Sequence, residues 1–412
     1  MKSLLLTSSF PPRVGGRELY LHSIFSRLPA EEVTVLTIHE KEAFSLLLSE
    51  ETAEFDQKSD MHIHRVGQER LHWFLQGRRK RLRWFASLAR LGLREKIDIV
   101  HCGVALPDGM SGWLLKKVLG WPYIVFTYAK EITETFSMER LHRYRQRTLL
   151  EAERVVTISQ YTRQELIRLG VEPDRIIIAP PGVDADYFQP NREAGEHIRS
   201  LYGLGEKPIL LTVARLIPRK GHDRVIEAMP FILQQVPEAI YVIVGEGPDE
   251  ERLRKLVQSV GVGNRVAFIG SVPAADLLGW YNAADLMVMP NRRENGDVEG
   301  FGIVFLEANA CGKPVIGGRS GGVMDAIDDG ESGCLVDPYD SQAVAKAAIR
   351  LLADPALAHR MGARGREWAK KFSWERAARQ VQTLAAEVVS DCDGSFGIGQ
   401  AMRSLQFFAR PL

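Results

Sequence analysis

Short apolar runs alternate with longer amphipathic stretches along this 412-residue chain. Ser3–Thr7, Val33–Ile38, Asp98–Cys102, Tyr123–Tyr128, Arg154–Ile158 and Arg175–Ala179 make one series of strand candidates. Ile209–Ala214, Ile240–Val244, Arg265–Ile269, Leu286–Met289, Val315–Gly317 and Gly333–Val336 make a second. Most are near-continuous in apolar residues rather than alternating. That pattern suits parallel strands covered on both faces. Strands alternating with helical segments predict βαβ units and doubly wound α/β sheets.

The two series are separated by a stretch punctuated by Pro180, Pro181, Gly182, Pro190 and Pro208. Clustered turn residues place a hinge near 182–192. The expected organisation is two Rossmann-like domains facing across a cleft. The first spans residues 1–185, completed by a helix near 373–390, and the second spans 186–372. A tail, 391–412, has no assigned role. In open α/β sheets ligands sit beyond the carboxyl ends of the strands, so those ends are where chemistry is sought.

Composition changes this picture little. At roughly 100–200 residues per domain, the length suits two or three domains. Hydrophobic residues make up 45% and charged residues 25%, as in ordinary globular proteins. A formal net charge of +1 gives no global attraction to nucleic acid, so any electrostatic preference is local. Cys102, Cys311, Cys334 and Cys392 show neither C-x-x-C nor metal-finger spacing, which fits buried thiols and a reducing, cytoplasmic compartment. The apolar start, MKSLLLTSSFPP, is too short for a signal-peptide core and reads as a first strand and turn. No run approaches the ~18 apolar residues that would suggest a membrane span.

Several strand ends carry candidate chemistry. Gly15 and Gly16 precede the helical pattern Glu18–Leu28, where adjacent glycines let backbone approach a ligand and the helix start attracts anions. A tight turn with no further role explains the pair as well. In VARLIPRKGHDRVIEA, Arg215 and Lys220 lie at a strand end with a helix beginning near His222. Two cations and a helix N-terminus together suit a diphosphate. Gly245 and Gly247, with Pro248 at the start of a helix, read as a structural turn. In VEGFGIVFLEANACGKPVI, Gly302–Ala310 predicts a helix carrying Glu307, with Glu299 and Gly300 in its entry loop. Carboxylates so placed accept hydrogen bonds from pairs of sugar hydroxyls. Phe305, Leu306 and Ala308 around Glu307 read as core, so a solvated Glu307 is the less natural alternative.

These pieces together resemble the retaining GT-B glycosyltransferases: Gly15-Gly16, Arg215 with Lys220, the Glu299-to-Glu307 spacing, and SGGVMDAI from Ser320. The resemblance runs from Lys2 to about Glu387. DVEGFGIVFLEANACGKPVI is especially similar to the branch containing phosphatidylinositol-mannoside mannosyltransferases. It implies transfer of a hexose from a nucleotide-diphosphate sugar, GDP-mannose or a UDP-sugar, to a glycan, lipid-linked or small-molecule acceptor. It assigns the ribose hydroxyls to Glu307 and the donor sugar to Glu299, aided by backbone around Gly300, Phe301, Gly302 and Ile303. Arg215 and Lys220 would stabilise the leaving diphosphate, so that neither metal nor cofactor is required. Gly16 would let its loop close over the phosphates and the acceptor, with Gly15 beside it. The family often has T-x-H-G-x-D/E after the strand ending at Tyr128. Here Tyr128 stands at the histidine and Ala129 at the glycine, Glu131 is kept, and Lys130 is a nearby cation. A tyrosine hydroxyl still hydrogen-bonds but carries no positive charge near neutral pH. Two other readings stay open: a sugar-nucleotide epimerase of the same fold, and a non-catalytic sugar-nucleotide-binding protein.

The stretch Gly77–Lys96 holds eight cations (Arg78, Arg79, Lys80, Arg81, Arg83, Arg90, Arg94 and Lys96) against Glu95. Leu82, Phe85, Ala86, Ala89 and Leu93 recur at helical spacing, and Trp84, Leu88 and Leu91 form a second stripe. A basic amphipathic helix with an exposed aromatic suits an anionic membrane surface, here the inner face. A domain helix with one buried face and solvated arginines accounts for the same pattern.

Overall fold

A computed structural model of the chain describes residues 1–13, 15–39, 46–67, 78–133 and 138–392; for residues 38–39, 46–49 and 78–82 it describes the backbone alone. The chain forms two compact units. One is Met1–Pro180 with the segment that starts at Trp374, and the other is Pro181–Ser373.

The first unit is built on strands β1 (Ser3–Leu6), β2 (Val33–His39), β3 (His62–Gly67), β4 (Ile99–Cys102), β5 (Tyr123–Thr127), β6 (Arg154–Thr157) and β7 (Ile176–Ile178). Their order is β3-β2-β1-β4-β5-β6-β7. The second unit holds β8 (Ile209–Val213), β9 (Ile240–Val244), β10 (Val266–Gly270), β11 (Leu286–Met289), β12 (Val315–Gly318) and β13 (Gly333–Val336), in the order β10-β9-β8-β11-β12-β13. Every described ladder is parallel. Each sheet reverses its winding once, between β1 and β4 and between β8 and β11. At such switch points the flanking loops diverge and leave a crevice.

Burial explains why the strands are legible. Leu4, Leu5, Val100, Ile124, Val125, Leu210, Leu211, Val242, Met287 and Val288 are fully buried, because helices cover both faces of each sheet. The strand the pattern does not predict is β3, with sequence HIHRVG. It lies at a sheet edge, and none of its residues is fully buried, so it needs no continuous apolar run.

Helix Trp374–Cys392 belongs to the first unit. Ala377, Ala378, Val381, Leu384, Ala385 and Val388 form its buried stripe at 3.6-residue spacing. Trp374 meets Tyr20 edge-on, Arg27 pairs with Glu375 at 2.7 Å, and Gln380 donates to the Ile178 carbonyl at 2.9 Å. Of the tail, residues 393–412 lie outside the described residues.

Some expectations need correction. The first helix is Gly16–Phe25, starting two residues earlier than its apolar pattern because Gly15 serves as N-cap. Pro248 does not open its helix, which runs Glu250–Ser259 after an Asp249 cap. Cys102 and Cys311 are buried, but Cys334 and Cys392 are only half-buried. In the basic helix, Arg78–Glu95, residues of both apolar stripes meet the core. Leu88 is buried, Trp84, Phe85 and Leu91 rest against the core, and the Trp84 indole donates to Ser111 at 3.3 Å. Among the side chains described there, Trp84 and Phe85 are half-buried, and the exposed large apolar residue is Leu93, at 65% exposure. Gly77 lies outside the described residues.

Candidate active site

In the second unit, two loops meet at the carboxyl ends of β8 and β11. The loop after β8 ends in the short turn Pro218–Lys220 and leads into helix His222–Gln235. The loop after β11 carries Glu299 toward helix Ile303–Ala310. Lys220 Nζ reaches Glu299 Oε2 at 2.5 Å, Arg219 Nη1 reaches the same oxygen at 2.7 Å, and Asn291 Nδ2 at 3.1 Å. Arg219 Nε also pairs with Asp297 at 3.1 Å. Burial alone would push the Glu299 carboxyl up. The adjacent Lys220 and Arg219 charges outweigh it and hold Glu299 down at about 2. Lys220 is lowered by its burial, with Glu299 opposing that shift.

Sequence pattern alone did not pick out Arg219, Asn291 or Asp297. The Arg219-Lys220 doublet was the available signal for Arg219. Arg215 is exposed beside this cluster, near enough for its charge to help lower Lys220, and its carbonyl lies 3.2 Å from His222 Nε2.

Glu307 sits within helix Ile303–Ala310, flanked by buried Phe305, Leu306 and Ala308. Tyr281 Oη donates to its Oε2 at 2.6 Å. Burial raises the Glu307 carboxyl, and the Tyr281 bond works against that. Phe301 is buried edge-on to Phe372, Gly300 is buried, and Ile303 is half-exposed at the helix start. Gly302, the N-cap, has φ +99°, and a Cβ there would lie 2.7 Å from the Phe305 ring. The Ser320-Gly321-Gly322 turn braces the Glu299 backbone: Gly322 N donates to the Glu299 carbonyl at 2.9 Å, and a Cβ on Gly321 would lie 2.4 Å from that oxygen. Gly245 and Gly247 have the structural role read from sequence. A Cβ on either would fall about 2 Å from the Ala214 or Leu216 carbonyl (2.1 and 2.3 Å).

A polar group also gathers in the first unit at the carboxyl ends of β1, β4 and β5. Tyr128 meets Tyr20 edge-on with ring centroids 5.7 Å apart, and its hydroxyl is buried without a hydrogen-bond partner among the described residues. Arg17 Nε is likewise buried and unpartnered. Asp108 accepts from Ser8 N at 3.1 Å, and burial raises it to about 7. Glu18 accepts from the Ser9 hydroxyl. Glu131 accepts from the backbone N–H groups of Tyr128 and Ala129, which makes it a cap for its own turn. Lys130 is exposed. Gly16 is exposed with open space around a Cβ position, whereas a Cβ on Gly15 would lie 2.3 Å from Glu18 Oε2. Arg17, Glu18 and Asp108 were not singled out from sequence, since single ionisable residues near strand ends carry no spacing signal. Among the described residues no group of three or more His, Cys, Asp or Glu is arranged to hold a metal ion.

Two cations and a carboxylate beside a helix N-terminus, at the switch point of a doubly wound sheet, suit a ligand that is anionic at one end and hydroxyl-rich at the other. Two doubly wound units in one chain, one of them carrying this site, suit a GT-B fold. Comparison with known proteins specifies the family. Residues 196–368 match the model "Glycosyl transferases group 1", and residues 14–187 match "Glycosyltransferase Family 4". The chain is 35% identical over 388 residues to a GDP-mannose-dependent alpha-(1-6)-phosphatidylinositol monomannoside mannosyltransferase of Mycolicibacterium smegmatis, covering 93% of this chain and 98% of that enzyme. It is 32% identical, with the same two coverages, to a GDP-mannose-dependent monoacylated alpha-(1-6)-phosphatidylinositol monomannoside mannosyltransferase of Corynebacterium glutamicum. The fold is similar to Anabaena HepE crystallised with UDP, with TM-score 0.80 and 21% identity, covering 94% of this chain and all (100%) of that one. The chain therefore belongs to the group 1 glycosyltransferases and is a hexosyltransferase.

Proposed function

We propose that this enzyme transfers mannose from GDP-mannose to a phosphatidylinositol-mannoside or related glycolipid acceptor, with retention of anomeric configuration and without a metal ion. The observation that carries the donor and acceptor is the near full-length similarity to enzymes bearing those names. The site residues support the chemistry. Lys220 and Arg219 exchange Glu299 for the donor diphosphate, and the freed Glu299 carboxylate accepts from sugar hydroxyls. Glu307 accepts from the ribose hydroxyls, held in place by Tyr281. Exposed Arg215, at the mouth of the same loop, reaches the diphosphate when the donor is bound.

The bond from the anomeric carbon to the diphosphate oxygen breaks, and the acceptor oxygen bonds to that carbon on the same face. The acceptor's proton passes to the departing diphosphate. Cations fixed where negative charge develops lower the barrier to departure. Glu299 positions the sugar and forms no covalent bond; a trapped glycosyl adduct on any carboxylate would overturn this. In the first unit, the acceptor's hydroxyls complete the two unpartnered polar atoms, the Tyr128 hydroxyl and Arg17 Nε.

The basic helix supports work at the inner face of a membrane. Arg83, Arg90, Arg94 and Leu93 are exposed on it, opposite the buried Leu88. Among the described residues no helix is long and apolar enough to cross a membrane.

Thermal shift with GDP-mannose, UDP-glucose and UDP-N-acetylglucosamine tests the donor, because ligand binding raises the melting temperature by mass action. GDP-mannose should give the largest shift, and only it should yield an α-mannosylated lipid product. A larger shift with a UDP-sugar, or a β-linked product, would refute the reading.

A further inference from the structure

The loop after β11 is tied to the loop after β8 at both of its ends. At the far end, Asp297 and Glu299 hold Arg219 and Lys220. At the near end stands Arg292, a residue neither the motifs nor the proposed chemistry uses. Its guanidinium makes a bidentate pair with Asp223, at 2.7 and 3.1 Å. The two side chains are 8% and 4% exposed. Its Nε takes Glu294 at 3.1 Å, and its backbone N–H donates to the Arg219 carbonyl at 2.9 Å. Asp223 lies in the first turn of helix His222–Gln235. The neighbouring Gly221, at φ +77°, lies so close to Pro290 that a Cβ would be 2.2 Å from its carbonyl oxygen.

Between the two ties the chain makes a hairpin. Glu294 and Asp297 exchange N–H···O bonds of 2.9 and 2.8 Å across Asn295 and Gly296, at φ +50° and +82°, the geometry of a tight I′ turn. The closed turn joins the Arg292 tie to the Asp297 and Glu299 ties as the two ends of one hairpin.

We infer that Arg292 is a positioning residue for the reaction: by its fork on Asp223 it sets the placement of Lys220 against Glu299. The inference rests on the reading that those two groups hold the donor diphosphate and sugar. A planar fork on a carboxylate admits one relative orientation, whereas a lysine ammonium makes a point contact without that constraint. A buried ion pair of this kind contributes orientation more dependably than net stability, since desolvation offsets much of its attraction. Displacement of a reacting group by about 1 Å costs on the order of 100-fold in rate.

The test uses the full chain with Arg292→Lys, and with the paired replacement Arg292→Met/Asp223→Leu, which removes both buried charges together. The readouts are kcat with GDP-mannose and acceptor lipid, the dissociation constant for GDP, and the melting temperature. The expected result in both variants is a fall in kcat of roughly 10- to 100-fold. GDP affinity should fall by much less than kcat, because Glu307 and Tyr281 still hold the ribose while only the diphosphate contact at Lys220 is displaced. The melting temperature of the paired variant should stay close to wild type, because replacing a buried ion pair by apolar side chains is near neutral. Wild-type kcat in either variant overturns the inference. So does a loss of GDP affinity as large as the loss of kcat, which would mark a purely structural role. A wild-type chain with no mannosyl transfer sinks the functional reading together with this one; normal wild-type transfer with unaltered Arg292→Lys kinetics sinks this one alone.

Discussion

Glu299 keeps its charge in a buried place because three donors converge on one of its oxygens. With its carboxyl held at about 2 against an ordinary 4.5, it favours folding above pH 4.5, and that contribution is lost only as pH falls toward 2. Its ionisation therefore sets no acid limb on activity in the neutral range. Glu299→Gln removes the charge and leaves Lys220 and Arg219 facing an amide. We expect turnover to fall by roughly 100- to 1,000-fold, with GDP affinity changed far less, as read by initial rates and calorimetry. His101 is the opposite case. It is buried on β4 between Phe25 and Phe126, neither ring nitrogen has a partner among the described residues, and burial lowers it to about 3. The unfolded chain takes up a proton near pH 6.5 that the native state refuses. This residue's contribution is complete above pH 6.5 and is lost as pH falls toward 3, at about 1.4 kcal/mol per pH unit. His101→Leu should flatten the fall in stability between pH 6.5 and 5 by about that slope. Urea denaturation at both pH values checks it, and an unchanged slope would show that His101 is solvated.

Helix Ile303–Ala310 depends on one backbone position at its start. Gly302 turns the chain at φ +99° against the Phe305 ring, so that the helix starts beside Glu299. Gly302→Ala puts a Cβ into strained backbone and into that ring. A destabilisation of about 1–3 kcal/mol should appear in the denaturation midpoint. A midpoint equal to wild type would mean the turn relaxes freely. The same helix shows what an element conveys to sequence inspection. Its apolar run with Glu299 and Glu307 was readable because the helix is buried nearly all round, leaving the carboxylates as the anomalous residues. Strand β3 was not readable because an edge strand does not need apolar residues on both faces. The stripes of the basic helix were each visible, but their period could not say which residues would face the core. That depended on Ser111 and the apolar residues beneath Trp84 and Leu88.

For the molecule as a whole, a net charge of +1 conceals the basic helix of the first unit. Replacing Arg83, Arg90 and Arg94 together by Glu reverses the charge on its exposed face. Cosedimentation with vesicles containing about 30% anionic lipid should fall at least tenfold, given about 1 kcal/mol per basic residue near such a surface. Turnover on a detergent-dispersed acceptor should be retained. Equal vesicle binding by the variant would remove this helix from any account of membrane association.

The sequence by itself determined the two series of parallel strands, because strands covered on both faces must be apolar throughout. It also made Glu299 and Glu307, eight positions apart, and Lys220, in its own strand-end loop, stand out as candidates, because each of these two motifs is local. Only the tertiary structure decided which groups complete the site. Arg219, Asn291 and Asp297 surround Glu299 because two loops close on each other, and Tyr281 reaches Glu307 from another helix. Arg292 and Asp223, 69 residues apart, meet for the same reason. Local spacing is written in the chain, but the partners of a buried charge are chosen by desolvation after the sheet has brought distant loops together.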